Sequence, residues 1–537
     1  MWFSLSGIII SSLVPNVFTQ KATDPIVDTG YAKYLGNRTF PNTVAFLGIP
    51  YAEPPLGERR FRKPLPLDTV RVSLEASGAV INATFYPAFC IQGAKGGAGS
   101  EDCLKLNIYT PADAKNGSNL PVLVYIHGGG YTFGTPANWP FDHWIRQSPN
   151  VVIVSVYYRL SSFGFLALPE FEDPQLGDFN AGFLDQTEAL RWVKSHIASF
   201  GGNPNKITIN GQSAGGSSVE LHLIANKDAE LFTGAIAQSV YRTPLPTPEQ
   251  QQPLFQFYAQ YAGVSALARA QDAGKFLDST GSPYKTFHPV LDGKIFTEFP
   301  TQSITSGKFA SVPLIVGSSA TTNETLAIGN TIPAALMHYC PLLTAADIAI
   351  LEEAYSGSDF ADDLRKQTLT GDVSVRCAVS VHFTFLSHLR RSAIQRTIMA
   401  TNFSDHVPAW TYRYNQRNPT DPPSYGVAHS AENWMMFLGT KLGANGTTTF
   451  TPMTPIQDAF ASELIAYWLS FVRSGNPNTY KLSRSPVWPS YSAEERSRIV
   501  LQQAATLTAS GSFVEEEVEP ETHRCELIAS QATYQQN

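Results

Sequence analysis

Charge is scarce in this chain. Of its 537 residues only 15% are Asp, Glu, Lys or Arg, and 45 acidic against 38 basic side chains leave a net charge of −7. Without a basic cluster, neither nucleic acid nor an anionic membrane surface is an expected partner. Cysteine is also rare. The five cysteines form no C-x-x-C and no zinc-ligand spacing, and their odd number leaves one unpaired or bonded elsewhere. A phosphate-binding P-loop is missing as well. The expectation is a protein with no metal and no cofactor. Long apolar runs are missing too. Beyond residues 1–18 no segment is apolar for long enough to cross a bilayer, and the polar C-terminal tail lacks a lipid-anchor signal.

Apolar residues, by contrast, make up 43% of the chain, enough for a large core and unlike the composition of a disordered protein. Residues 1–18 read as a secretory signal peptide cut near Thr19 or Gln20, leaving one domain over 20–537 and an extracellular location. Sequons at Asn37, Asn82, Asn116, Asn402 and Asn445 are candidate glycosylation sites. A sixth, Asn323, is expected to stay unmodified because it adjoins a candidate acid.

Along the chain, β-rich apolar runs alternate with helical spacing. Pro121 to Ile126 is a continuous apolar run, as for a strand buried on both faces, and it ends in His127-Gly128-Gly129-Gly130-Tyr131. Val151 to Tyr158 is a second such run. Asp185 to Phe200 has helical spacing and stops at Gly201-Gly202, followed by Pro204. Short strands are expected at 206–209, 234–238, 312–317 and 410–414, a helical cap in 245–285, and a long amphipathic helix over 456–473. Strand, helix, strand alternation implies an α/β protein, with a large, mostly parallel sheet and helices on both faces.

Between strand 206–209 and a helix over 217–224 lies Gly211-Gln212-Ser213-Ala214-Gly215. A serine between glycines at a strand-to-helix turn is the nucleophile-elbow pattern, which lifts the hydroxyl clear of the sheet. Alone it is weak, since about 0.2 chance matches are expected in a chain of this length. A serine needs a base, and the base an orienting carboxylate, in the order Ser, acid, His. His429, in a Gly-containing loop after strand 410–414, is the candidate base, and Glu324 the candidate acid, with Asp347, Asp372 and Asp405 as rivals by order alone. Consecutive glycines at 128–130 let backbone N–H groups converge on a substrate oxygen, usually the largest catalytic term.

With these motifs in place, the chain resembles the type-B carboxylesterase/lipase family of α/β-hydrolases, and in character its secreted fungal carboxylesterases. The resemblance rests on FLGIPYAEPPLGERRF (46–61), SEDCLKLNIYTP (100–111), VYIHGGGYTFG (124–134) and VVIVSVYYRLSSFGFL (151–166). It continues through NAGFLDQTEALRWVKSHIASFGGNPNKITINGQSAGG (180–216), YGVAHSAE (425–432) and VRSGNPN (472–478). It implies an α/β-hydrolase fold, Ser213 as nucleophile, His429 as base and Glu324 as acid. Oxyanion donors would be the N–H groups of Gly129, Gly130 and Ala214. The resemblance also implies a Cys90–Cys103 disulfide and buried ion pairs Arg60–Glu101 and Arg159–Asp185. Cys340 with Cys377, leaving Cys525 free, is the further pairing expected.

Three departures from the family pattern stand out. Gln212 replaces the usual Glu before the serine. Glu324 stands farther from its strand than the family's acid. The loop between Cys90 and Cys103 is short, holding neither the apolar lid of lipases nor the choline-binding tryptophan of cholinesterases. Tyr131 and Phe133 are candidates for a substrate pocket. The expected activity is hydrolysis of neutral carboxylic esters through an acyl-enzyme. The alternatives are a lipase or sterol esterase with long-chain preference and, in another class, an inactive adhesion or ligand-binding relative.

Overall fold

The computed structural model describes residues 25–92, 98–241, 244–261, 284, 286–319, 331–356, 368–373, 377, 398–442, 448–492, 494–517, 519–531 and 535–536. The expected signal peptide, Asn323, Glu324, Asn445 and most of the expected cap after residue 261 lie outside the described residues.

Strands are numbered in chain order. They are β1 (Ile26–Asp28), β2 (Lys33–Leu35), β3 (Asn37–Phe40), β4 (Thr43–Pro50), β5 (Val80–Asn82), β6 (Lys105–Pro111), β7 (Leu120–Ile126) and β8 (Val152–Val156). They continue with β9 (Gly202–Gln212), β10 (Gly234–Gln238), β11 (Leu314–Ser319), β12 (Ala409–Tyr414), β13 (Thr440–Leu442), β14 (Thr448–Phe450), β15 (Ser497–Leu501) and β16 (Phe513–Glu516). Eleven of them form one sheet in the order β16-β15-β12-β11-β10-β9-β7-β8-β6-β4-β3. The run from β8 through β7, β9, β10, β11 and β12 to β15 is parallel, and the remaining pairings toward both edges are antiparallel.

Period-two alternation decides which side each residue serves. Val122, Val124 and Ile126 join the core on one face, and Leu123 and Tyr125 the core on the other. Val152 and Val154 against Ile153, and Leu314 and Val316 against Ile315, divide in the same way. Two buried faces explain why these strands read as unbroken apolar runs. Helix Ala181–His196 contributes Leu190 and Val193 to the first core, and helix Pro455–Ser474 contributes Leu464, Trp468 and Phe471 to the second. The second helix has a capping box, in which Thr454 N–H donates to Gln457 Oε1 (2.7 Å) and Gln457 N–H donates to Thr454 Oγ1 (3.4 Å).

Several expectations shift. The strand expected at 206–209 runs from Gly202 because its ladder with β7 continues past an irregularity to Leu120. Among the ion pairs, Arg159–Asp185 is buried and two-pronged, at 2.8 and 2.6 Å. Arg60–Glu101 is equally two-pronged, at 2.6 and 2.7 Å, but only partly buried. Cys90 and Cys103 are bonded as implied. The Cys340–Cys377 pairing is wrong: Cys377 bonds Cys525, 148 residues away, and Cys340 is the free thiol. The C-terminal helix Glu519–Ser530 carries Cys525 back onto the body of the fold, a non-local contact that spacing cannot reveal. Cys340 is sealed in the core behind helix Ile332–Tyr339, where burial pushes its thiol up to about 12.

Candidate active site

Ser213 sits at the turn between β9 and helix Ala214–Ala225, with φ 60° and ψ −125°. A non-glycine residue rarely occupies that region, and here neighbours hold it there. Ser213 N–H donates to Gln238 O at 3.0 Å, and its carbonyl accepts from Ser217 N–H at 2.9 Å. The glycines permit close approach of backbones. A β-carbon on Gly215 would lie 2.0 Å from Ile126 O, so the nucleophile helix docks directly on the end of β7. One on Gly128 would lie 2.5 Å from Gln212 O and 2.9 Å from Ser213 Cβ. The glycine loop and the serine turn are thus in contact.

His127 steadies that loop. Its Nδ1–H donates to Gly128 O at 2.8 Å, its ring stacks on Tyr158 at 4.5 Å, and Tyr158 Oη–H donates to His127 O at 2.8 Å. Burial pulls the imidazole down to about 4, so it stays neutral and structural. Among the other expected positions, Tyr131 is fully buried. Its hydroxyl accepts from Ser218 at 3.3 Å and its ring meets Phe165 edge-on at 5.0 Å. Phe133 remains 41% exposed.

The loop after β12 brings His429 to the serine, with Nε2 and Oγ at 2.7 Å across 216 residues of sequence. Among the described residues His429 Nδ1 has no hydrogen-bond partner. Gln212 bonds two residues that closely follow His429 in the chain. Its Oε1 accepts from Asn433 Nδ2 at 2.9 Å and from Ser430 Oγ at 3.4 Å, while its Nε2 has no partner among the described residues.

One buried acidic side chain near His429 was missed by sequence reasoning. Glu432, three residues after His429, is buried, and its carboxylate accepts from Ser239 Oγ at 3.0 Å and Ser319 Oγ at 3.3 Å. Burial pushes this carboxyl above its usual range, and the charge of a protonated His429 works in the opposite direction. The signal was present in the YGVAHSAE stretch, but nothing in the sequence distinguished a buried acid from a hydrated one. Candidate glycosylation sites Asn37, Asn82 and Asn116 are exposed, and Asn402 is half-buried.

A strained serine in hydrogen-bond reach of a histidine, beside a glycine loop, is the geometry of acyl transfer. A model of the carboxylesterase family matches residues 23–526. The chain belongs to the carboxylesterase family. It is a carboxylic ester hydrolase with the α/β-hydrolase fold. Curated relatives include acylcarnitine hydrolase of Mus musculus, 31% identical over 84% of this chain and 82% of that protein. Carboxylesterase 1F of Mus musculus is 31% identical over 91% of this chain and 93% of that protein. Acetylcholinesterase of Bungarus fasciatus is 30% identical over 84% and 78%. The crystal structure of EstA from Aspergillus niger superposes with a TM-score of 0.78 at 29% identity, covering 96% of this chain and 99% of that one.

Proposed function

We propose that this carboxylesterase is a secreted serine esterase that hydrolyses neutral esters through an acyl-enzyme on Ser213. The observation that carries the reading is the 2.7 Å contact between Ser213 Oγ and His429 Nε2. For Nε2 to accept the hydroxyl proton, the ring proton must sit on Nδ1, and that proton needs an acceptor. Glu324 is the residue we assign to that place, completing a Ser–Glu–His triad. Ser213 Oγ then attacks the ester carbonyl while Nε2 takes its proton. N–H groups of Gly129, Gly130 and Ala214 are the assigned donors to the resulting oxyanion. Collapse breaks the bond to the alcohol oxygen, which leaves with the proton from His429. Water, deprotonated by the same nitrogen, releases the acid.

A preference for neutral esters is supported by the Cys90–Cys103 loop, which lacks the choline-binding tryptophan of cholinesterases. The short Cys90–Cys103 loop argues against an apolar lid and long-chain interfacial substrates. Of the two aromatic residues expected at a pocket, Phe133, with its exposed ring, is the better placed to face substrate. Two disulfides suit an oxidising, extracellular compartment, and no helix among the described residues is long and apolar enough to cross a membrane.

The test is direct. Ser213→Ala should abolish turnover of p-nitrophenyl butyrate and covalent labelling by an organophosphate. Retained turnover in that variant would reject the nucleophile assignment.

A further inference from the structure

The glycine loop is gripped by a side chain that lies in none of the motifs. Gln92 is 3% exposed, and its terminal amide pairs with the backbone of Gly134 in both directions. Gly134 N–H donates to Gln92 Oε1 at 2.9 Å, and Gln92 Nε2 donates to Gly134 O at 2.8 Å. The same Nε2 donates to Cys90 O at 3.2 Å. Gln92 is itself fixed, because its backbone pairs with Ala98 in both directions at 3.0 and 2.9 Å inside the loop closed by Cys90–Cys103.

Gly134 in turn lies directly on the donor loop. With φ 118°, it approaches so closely that a β-carbon there would fall 2.6 Å from both Gly128 O and His127 Nδ1. Gly128 rests against Ser213, as described above. A continuous path of contacts therefore runs from the disulfide loop through Gln92 and Gly134 to His127, Gly128 and the nucleophile.

We infer that Gln92 is a positioning residue for the oxyanion donors, and that it couples the Cys90–Cys103 disulfide to their placement. The inference rests on the proposed roles of Ser213 and of the Gly129 and Gly130 N–H groups. Two hydrogen bonds to one backbone unit fix both its position and its tilt, which a single bond or an apolar contact cannot do. Donors must meet the oxygen as it becomes charged, so a loop displaced by a fraction of an ångström weakens the transition state more than substrate binding.

The test compares the wild type with Gln92→Leu, the more volume-conserving Gln92→Met, and Cys90→Ser/Cys103→Ser. Readouts are kcat and KM on p-nitrophenyl butyrate, affinity for an aryl trifluoromethyl ketone and thermal stability. The ketone's adduct with a serine carries an oxyanion and reports on the donors. In either Gln92 variant kcat should fall about 10- to 100-fold, with KM within about twofold and ketone affinity falling in parallel. The disulfide variant should lose kcat in the same sense, and adding Gln92→Leu to it should cost much less than in the bonded protein. If Gln92→Leu fails to fold, Gln92→Met alone decides the matter. A folded variant with wild-type kcat overturns the inference, as does a rise in KM without loss of ketone affinity, or full additivity with the disulfide variant. The Ser213→Ala control separates the two levels: activity surviving there defeats the serine mechanism itself, whatever the Gln92 variants do.

Discussion

Gln212 and Glu432 set two different environments near His429. The side chain beside the nucleophile is a neutral amide tied to Asn433, whereas Glu432, three residues after His429, is a buried carboxylate held by Ser239 and Ser319. A carboxylate at position 212 would favour the protonated form of His429, so the ring would release its proton at higher pH. Gln212→Glu should therefore move the ascending limb of kcat/KM to higher pH, as a rate profile between pH 5 and 9 would reveal; an unmoved limb would mean that residue 212 does not sense the imidazole. At this scale the site was partly legible in the sequence. Ser213 and His429 announce themselves because the chemistry needs those residue types in that order and on those loops. Gln92 does not, because its partner is a backbone unit that any residue could supply. Glu432 was equally silent, since only burial separates it from a surface acid.

Elements followed the sequence where one physical preference dominated. The run 234–238 is β10 without change, because every residue in it is buried between two parallel neighbours. Extension of β9 back to Gly202 was hidden, because Gly202, Asn203, Pro204 and Asn205 have poor strand propensity, and only Gly202 of the four pairs with β7, across an irregularity in the ladder. The helix Pro455–Ser474 matches the amphipathic run expected over 456–473, with Thr454 and Pro455 opening it and Gly475 closing it at φ 71°. Its N-cap Thr454 is exposed and bonds Gln457 rather than Ser213 or His429, so it isolates a structural contribution. Thr454→Ala should lower the unfolding free energy by about 1 kcal/mol and leave kcat unchanged, as parallel denaturant melts and rate assays would report.

For the whole molecule, buried histidines contribute to the response to acid. Burial lowers His127 and His288 to about 4 and His222 to about 3, against 6.5 for an unhindered imidazole. The sign follows from proton uptake: below 6.5 the unfolded chain binds protons at these positions and the folded chain does not. Stability from these groups is therefore complete above pH 6.5 and is lost as pH falls toward 4. Melting temperature should drop through that window, and replacing His222 by Gln, which keeps a polar partner for Gln186 and Asn226, should make the decline shallower. A melting temperature independent of pH between 6.5 and 4 would contradict this account. The sequence disclosed none of it, because a histidine in a list of eleven carries no mark of its burial. The Cys377–Cys525 bond was hidden for the same reason: it belongs to a contact across the fold, not to a spacing.

The backbone of Ser213, held at φ 60°, has an evolutionary corollary. Glycine tolerates that conformation better than serine, so the nucleophile position is one where activity and folding robustness pull in opposite directions. Selection for turnover alone keeps a side chain there. A descendant released from that selection would gain a sturdier scaffold by acquiring glycine there, losing the hydroxyl with the rest of the side chain.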